Sequence, residues 1–295
     1  MILLSSLYYQ VMKQLSSGPG LLWKQTGPGL FLWLSIALVG VNSGLEAGKW
    51  RVLNRAVLPI SFAQAWASCL VGIACSLITP NRVGDYPGRI LYLGKGNTLR
   101  YINIAIVGAV AQLSAIFFFG LAGLIYYNIH YSDTLAKMAM ILCIAVNIFL
   151  IISFFRFETW LPILGRIPFL RRFSVYGRLL NRVDVRQQLS ILLLSLLRFA
   201  VFTAQYLFLL RWMSVSMPLA DGFCMSALFF WAMAVIPSFA FTGLVARVQV
   251  SEYLFHHFSP NTIGIMAATS AIWLLNLVVP AIAGSLLIVR MKLIR

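Results

Sequence analysis

The chain has 295 residues, 61% hydrophobic and only 10% charged, where ordinary soluble domains carry about 25% charged residues. So few polar side chains cannot cover a globular surface, which excludes a soluble catalytic domain and makes lipid the solvent for much of the molecule. The 23 Lys and Arg against 7 Asp and Glu give a net charge of +16, but no basic stretch is interleaved with a foldable nucleic-acid-binding pattern. The excess is read as loop charge held on the cytoplasmic side, with no nucleic-acid partner.

In chain order, residues 1–29 form an N-terminal interfacial segment. Residues 1–12 are too short to span and lack the basic region and cleavage site of a signal peptide. Seven apolar segments follow, over 30–50, 61–79, 102–128, 134–155, 187–211, 219–236 and 262–289, each read as long enough to cross a bilayer as helix. Between the fourth and fifth, residues 156–186 mix arginines with Trp160, Phe169, Phe173 and Tyr176. That pattern fits an amphipathic segment on anionic headgroups and also a plain solvated loop.

The second and sixth segments end on helix breakers. One closes on Pro80 with Gly84, Gly88 and Arg89 after it, the other on Pro237 with Gly243 and Arg247. If both dip into the membrane and return on the same side, most basic loop residues gather on the cytoplasmic face, as the positive-inside rule prefers. The predicted fold is therefore an all-α polytopic membrane protein with two broken or re-entrant segments. It divides into an inverted repeat, 30–129 and 187–290, joined by a connecting helix over 134–155.

Four cysteines, Cys69, Cys75, Cys143 and Cys224, lie in apolar stretches without C-x-x-C spacing, and read as packing residues. His256 and Glu252 share a helix face but lack the further donors a zinc site needs, so no metal or cofactor is expected.

Polar groups in hydrocarbon are costly and mark candidate sites. Arg198 lies near the middle of segment five, with Gln205 seven residues on along the same face. Glu46 is near the end of segment one, and Gln112, Asn147 and Asn276 lie in segments three, four and seven. Two readings of Arg198 stay open: a structural ion pair with Glu46 or Asp85, and a ligand for a lipid phosphate. In the run from Pro80 through Asn81 and Arg82 to Arg89, Asp85 is expected to be a helix N-cap with Pro87 in the first turn. Such a helix start offers free N–H groups to an anion, Arg82 and Arg89 add charge, and Gly84 and Gly88 allow close approach. An ordinary basic cytoplasmic turn accounts for the same residues.

Three stretches carry a resemblance. They are Gly44-Leu45-Glu46-Ala47-Gly48-Lys49-Trp50-Arg51, then Thr79-Pro80-Asn81-Arg82-Val83-Gly84-Asp85-Tyr86-Pro87-Gly88-Arg89, and later Leu197-Arg198 with Gln205-Tyr206 and Pro237, Gly243 and Arg247. Together these resemble the flippase-like lysylphosphatidylglycerol synthase transmembrane family, in a Bacteroidota-like variant, over about residues 30–290. The resemblance implies a domain of a bacterial inner membrane that moves a charged lipid or lipid-linked headgroup between leaflets. Its ligand would be anionic phospholipid or a polyprenyl-phosphate-linked lipid, held by Glu46, Pro80, Asn81, Arg82, Gly84, Asp85, Arg89, Gln112, Arg198, Gln205, Gly243 and Arg247. The aminoacyl-transferase domain of bifunctional members has no counterpart in the matched stretch, so no synthase activity is expected. The sequence departs from the family pattern in having Asp85 rather than Glu and no acid beside Gly243. Alternatives are an accessory subunit of a lipid or glycan synthase, as homo-oligomer or with a partner synthase, and a membrane enzyme acting on a lipid phosphate. The enzyme would need clustered acids, a histidine nucleophile or a metal.

Overall fold

A computed structural model describes residues 29–77, 79, 83–94, 98–131, 133–156, 184–236 and 242–293. Almost all of the 1–29 and 156–186 segments lies outside the described residues, as do Pro80, Asn81 and Arg82. The described secondary structure is helical: α1 Leu30–Asn54, α2 Phe62–Ser76, α3 Asp85–Leu93, α4 Thr98–Tyr131, α5 Thr134–Phe155, α6 Val185–Trp212, α7 Leu219–Val235, α8 Thr242–Phe255, α9 Thr262–Trp273 and α10 Val279–Leu293, with a π-turn over Leu274–Val278 joining the last two.

Among the described residues five helices are long and apolar enough to cross a membrane: α1, α4, α5, α6 and the continuous rod from α9 into α10. The expectation that all seven segments could span is corrected by α2 and α7. They have 15 and 17 residues, only about 22–26 Å of helix against a hydrocarbon core of ~30 Å. Each is instead the first arm of a hairpin, α2 with α3 and α7 with α8. Ser61 and Gln64 start α2 with a reciprocal capping box, and Asp133 caps α5 by accepting from the Leu135 N–H.

The two halves run in opposite directions. On the α1–α6 seam Phe31 meets Phe208, Ser35 bonds Gln205 and Asn42 bonds Arg198. Rising residue numbers on one helix pair with falling numbers on the other, so the helices that open the two repeats are antiparallel. The hairpins follow suit. The first hairpin starts beside the C-terminal end of α1, and the second starts beside the C-terminal end of α6.

Packing is exchanged between halves. The first arm of each hairpin lies along the last helix of the other repeat, α7 on α4 and α2 on α10. Glycine makes both contacts close, as is common where helices meet in lipid. A Cβ at Gly123 would come within 2.8 Å of the Leu228 nitrogen, and one at Gly284 would overlap the Leu70 carbonyl. The outer helix α5 packs on α4 and turns Leu135, Met138, Ile141 and Leu142 outward, each at least 64% exposed, as expected of a lipid-facing surface.

Candidate functional site: a charged cavity between the hairpins

On α1, Asn42, Glu46 and Lys49 recur at i, i+4 and i+7, so they form one polar stripe on an apolar helix. All three are buried. Glu46 is the hub. Its carboxylate meets Lys49 Nζ at 2.8 Å, Arg89 Nη1 at 2.8 Å and Arg198 Nη1 at 3.0 Å. One acid therefore joins α1 to the first hairpin and to α6.

The N-cap expected at Asp85 is corrected. Gly84 is the residue that precedes α3, and Asp85 is already helical. The Asp85 carboxylate accepts both Arg89 Nε (2.9 Å) and Nη2 (2.7 Å), a bidentate pair across one helical turn. The Gly84 N–H is taken by the Thr79 hydroxyl at 2.8 Å. The Arg89 guanidinium also lies over the rings of Trp50 and Tyr86, 5.3 and 5.8 Å from their centroids.

Small residues put this hairpin where it is. A Cβ at Gly72 would overlap the Asp85 carboxylate and come within 2.8 Å of Arg89 Cγ, and one at Gly88 would lie 2.8 Å from the Gly72 Cα. The arms therefore touch backbone to backbone, which brings Arg89 to Glu46.

Amides continue the network. Gln112 Oε1 accepts from Lys49 Nζ (3.0 Å) and Arg198 Nη1 (3.1 Å). Arg198 Nε donates to Asn42 Oδ1 at 3.1 Å, Asn42 Nδ2 donates to Asn276 Oδ1 at 3.0 Å, and Asn276 Nδ2 donates to Gln205 Oε1 at 2.9 Å. The chain of bonds thus runs from the first hairpin through α1 and α6 to the π-turn.

A cavity of about 490 Å³ opens beside this network. Val83, Asp85, Tyr86 and Arg89 line it from the first hairpin, and Phe230, Met233, Ala234 and Arg247 from the second. Glu46, Lys49, Gln112 and Arg198 complete its polar wall. The Arg198 side chain keeps 28% of its surface exposed, while that of Arg89 keeps 6%. Gln112 lies roughly 20 Å along the 34-residue α4, well inside the depth of a bilayer.

Of the twelve expected ligand-binding residues, Glu46, Asp85, Arg89, Gln112, Arg198 and Arg247 line this one cavity. Gln205 is fully buried behind it, bonded to Ser35 and Asn276. Gly84 packs the hairpin turn against Cys75 and Thr79. Gly243 is buried on the first turn of α8 and is not part of the cavity wall. Pro80, Asn81 and Arg82 lie outside the described residues. Of the two readings of Arg198, the ion pair with Glu46 is present, yet the same guanidinium faces the cavity. Lys49, absent from the expected ligand set, is 3% exposed inside the site. Asn42 and Asn276 also belong to it, and the 42/46/49 stripe is the signal that could have found the first.

Among the described residues no group of three His, Cys, Asp or Glu could hold a metal ion. His256 lies 3.6 Å from Glu252.

Among the described residues, five helices long and apolar enough to span, two helical hairpins and a charged cavity lined by both define an all-helical polytopic integral membrane protein. The profile of the lysylphosphatidylglycerol synthase transmembrane region matches residues 10–289, nearly the whole chain, and the protein belongs to that family. Comparison with curated proteins and with solved structures returned no match.

Proposed function

We propose that the protein is a lipid flippase of the bacterial inner membrane, moving a phosphate-bearing lipid or lipid-linked headgroup between leaflets without chemical change to it. The observation that carries this reading is the cationic wall of Lys49, Arg89, Arg198 and Arg247 around one cavity touched by both hairpins. Charged groups at this depth are costly unless they serve a path for a polar ligand. Guanidinium groups suit phosphate oxygens, and Arg198 is more exposed than Arg89, with Glu46 and Gln112 on its Nη1, Asn42 on its Nε and Nη2 left for a ligand. Opposed hairpins shorten the hydrocarbon on either side, so a headgroup crosses by exchanging partners along the cavity while its acyl chains stay in lipid.

The test is a proteoliposome assay with fluorescent phosphatidylglycerol and an impermeant quencher. Native chain should raise transbilayer movement over empty liposomes. Arg198→Ala should lower the rate by about 10- to 100-fold, the value of one ionic hydrogen-bonded contact. Arg198→Lys should restore little, since a point ammonium cannot hold Asn42, Gln112 and Glu46 together. Equal movement with native and Arg198→Ala protein would refute the reading.

A further inference from the structure

Resting on the reading of the cavity as a headgroup site, we propose that the headgroup it takes is net anionic, and that it rejects the cationic aminoacylated headgroup that gives the family its description. The argument is a census of charge. Of the seven acids in the chain, Glu158 lies outside the described residues. Asp133 and Asp184 precede helices α5 and α6, Asp221 sits in the first turn of α7, and Glu252 faces His256. None of these lines the cavity; Glu46 and Asp85 do.

Both already face cations of the protein. Glu46 serves three cations, and Asp85 spends both oxygens on Arg89. Against them stand Lys49, Arg89, Arg198 and Arg247, so the lining carries more positive than negative charge. A lysyl ester of a phospholipid brings two ammonium groups and a single phosphate charge. Its ammonium groups would have to displace a guanidinium or ammonium from Glu46 or Asp85. Two of the aromatic faces in the lining that could cradle an ammonium, Trp50 and Tyr86, are already covered by Arg89. An unmodified phosphodiester or a phosphomonoester meets no such conflict and offsets the surplus.

The experiment uses full-length chain in neutral detergent with fluorescent phosphatidylglycerol as probe, read by anisotropy. Competitors are phosphatidylglycerol, phosphatidate, lysylphosphatidylglycerol and inorganic phosphate. Phosphatidylglycerol and phosphatidate should displace the probe at concentrations at least about tenfold below lysylphosphatidylglycerol, because like-charge juxtaposition costs more than one decade of affinity. Arg247→Gln, kept as a mild variant that leaves the Glu46 network intact, should narrow that gap. Arg198→Glu, used if monodisperse, should reverse it. Displacement by lysylphosphatidylglycerol as good as by phosphatidylglycerol would overturn the proposal and leave the lipid site standing. Inorganic phosphate competing as well as the lipids would overturn it by making the ligand a free anion. No saturable probe binding would remove the headgroup site itself, and the proposal with it.

Discussion

Ser35 and Gln205 exchange hydrogen bonds across the seam between the two repeats: the Ser35 hydroxyl donates to the Gln205 carbonyl at 3.3 Å, and the Gln205 amide donates to the Ser35 carbonyl at 3.0 Å. Both residues are fully buried. The pair fixes the register that brings Asn42 and Glu46 opposite Arg198. Gln205→Leu would remove the second bond to the Ser35 carbonyl and leave the Asn276 amide without its Gln205 acceptor. It is expected to cost about 1–3 kcal/mol and lower the thermal midpoint in detergent. An unchanged midpoint in a fluorescence-detected gel-filtration series would show that the seam does not depend on this exchange.

Glu46→Gln is expected to be more damaging. It leaves Lys49, Arg89 and Arg198 close together with their shared counter-charge gone. Removing one partner of a buried ion network costs about 3–5 kcal/mol. Glu46→Gln protein should therefore yield little monodisperse material, and Glu46→Asp should recover part of it. Wild-type yield and midpoint from Glu46→Gln would mean that the cations are screened by other means.

The first hairpin depends on Gly72. Gly72→Ala places a methyl group against the Asp85 carboxylate and the Arg89 side chain. The arms must part, at about 1–3 kcal/mol for overpacking, and Arg89 is drawn from Glu46. Gly48→Ala is the control, since nothing lies within 4 Å of a Cβ there. The two variants should separate in thermal stability; matching midpoints would refute the backbone contact.

The opposed hairpins make a prediction about sidedness. Leu58, 50% exposed between α1 and α2, and Leu219, 62% exposed at the start of α7, lie where the two hairpins begin. In a background with the partly exposed Cys75 and Cys224 replaced by Ala, Leu219→Cys should react with an impermeant maleimide in intact spheroplasts. Leu58→Cys should react only in inverted vesicles. Labelling of both from one side would end the inverted arrangement.

Much of the fold is legible in the sequence because apolar helices in lipid are bounded by composition. The expected segment 134–155 coincides with α5, and 219–236 with α7 to within a residue. Pro80 and Pro237, with the glycines after them, marked both hairpins, since a helix cannot continue through proline and glycine without cost. The charged partners were harder to see. Arg198 and Glu46 stand out singly, but their meeting depends on the antiparallel register of α1 and α6, which no local pattern encodes. Lys49 lies close in sequence to Arg51 and Arg55, and only burial separates a site lysine from loop charges. Asp85 looked like a cap because it precedes a helix with Pro87 in its first turn. Arg89, one turn on, claims its carboxylate instead.

The π-turn at Leu274–Val278 joins the two parts of the last rod. The Val279 N–H bonds back to the Leu274 carbonyl, five residues away, and Pro280 has no N–H to offer the turn before it. Upstream of this widened turn the rod is indexed by Thr269 against Tyr206, and downstream by Gly284 against Leu70. Asn276 sits in the turn, bonded to both Asn42 and Gln205. The extra residue of such a turn is absorbed within it, so deleting one residue here would restore an ordinary helix, leave the phase beyond it nearly unchanged and disturb only the bonds that Asn276 makes. Deleting a residue between Val279 and Gly284 would instead turn Gly284 about 100° away from α2, so the widened turn is where this rod absorbs a change of one residue in length and the regular helix beyond it is where it does not.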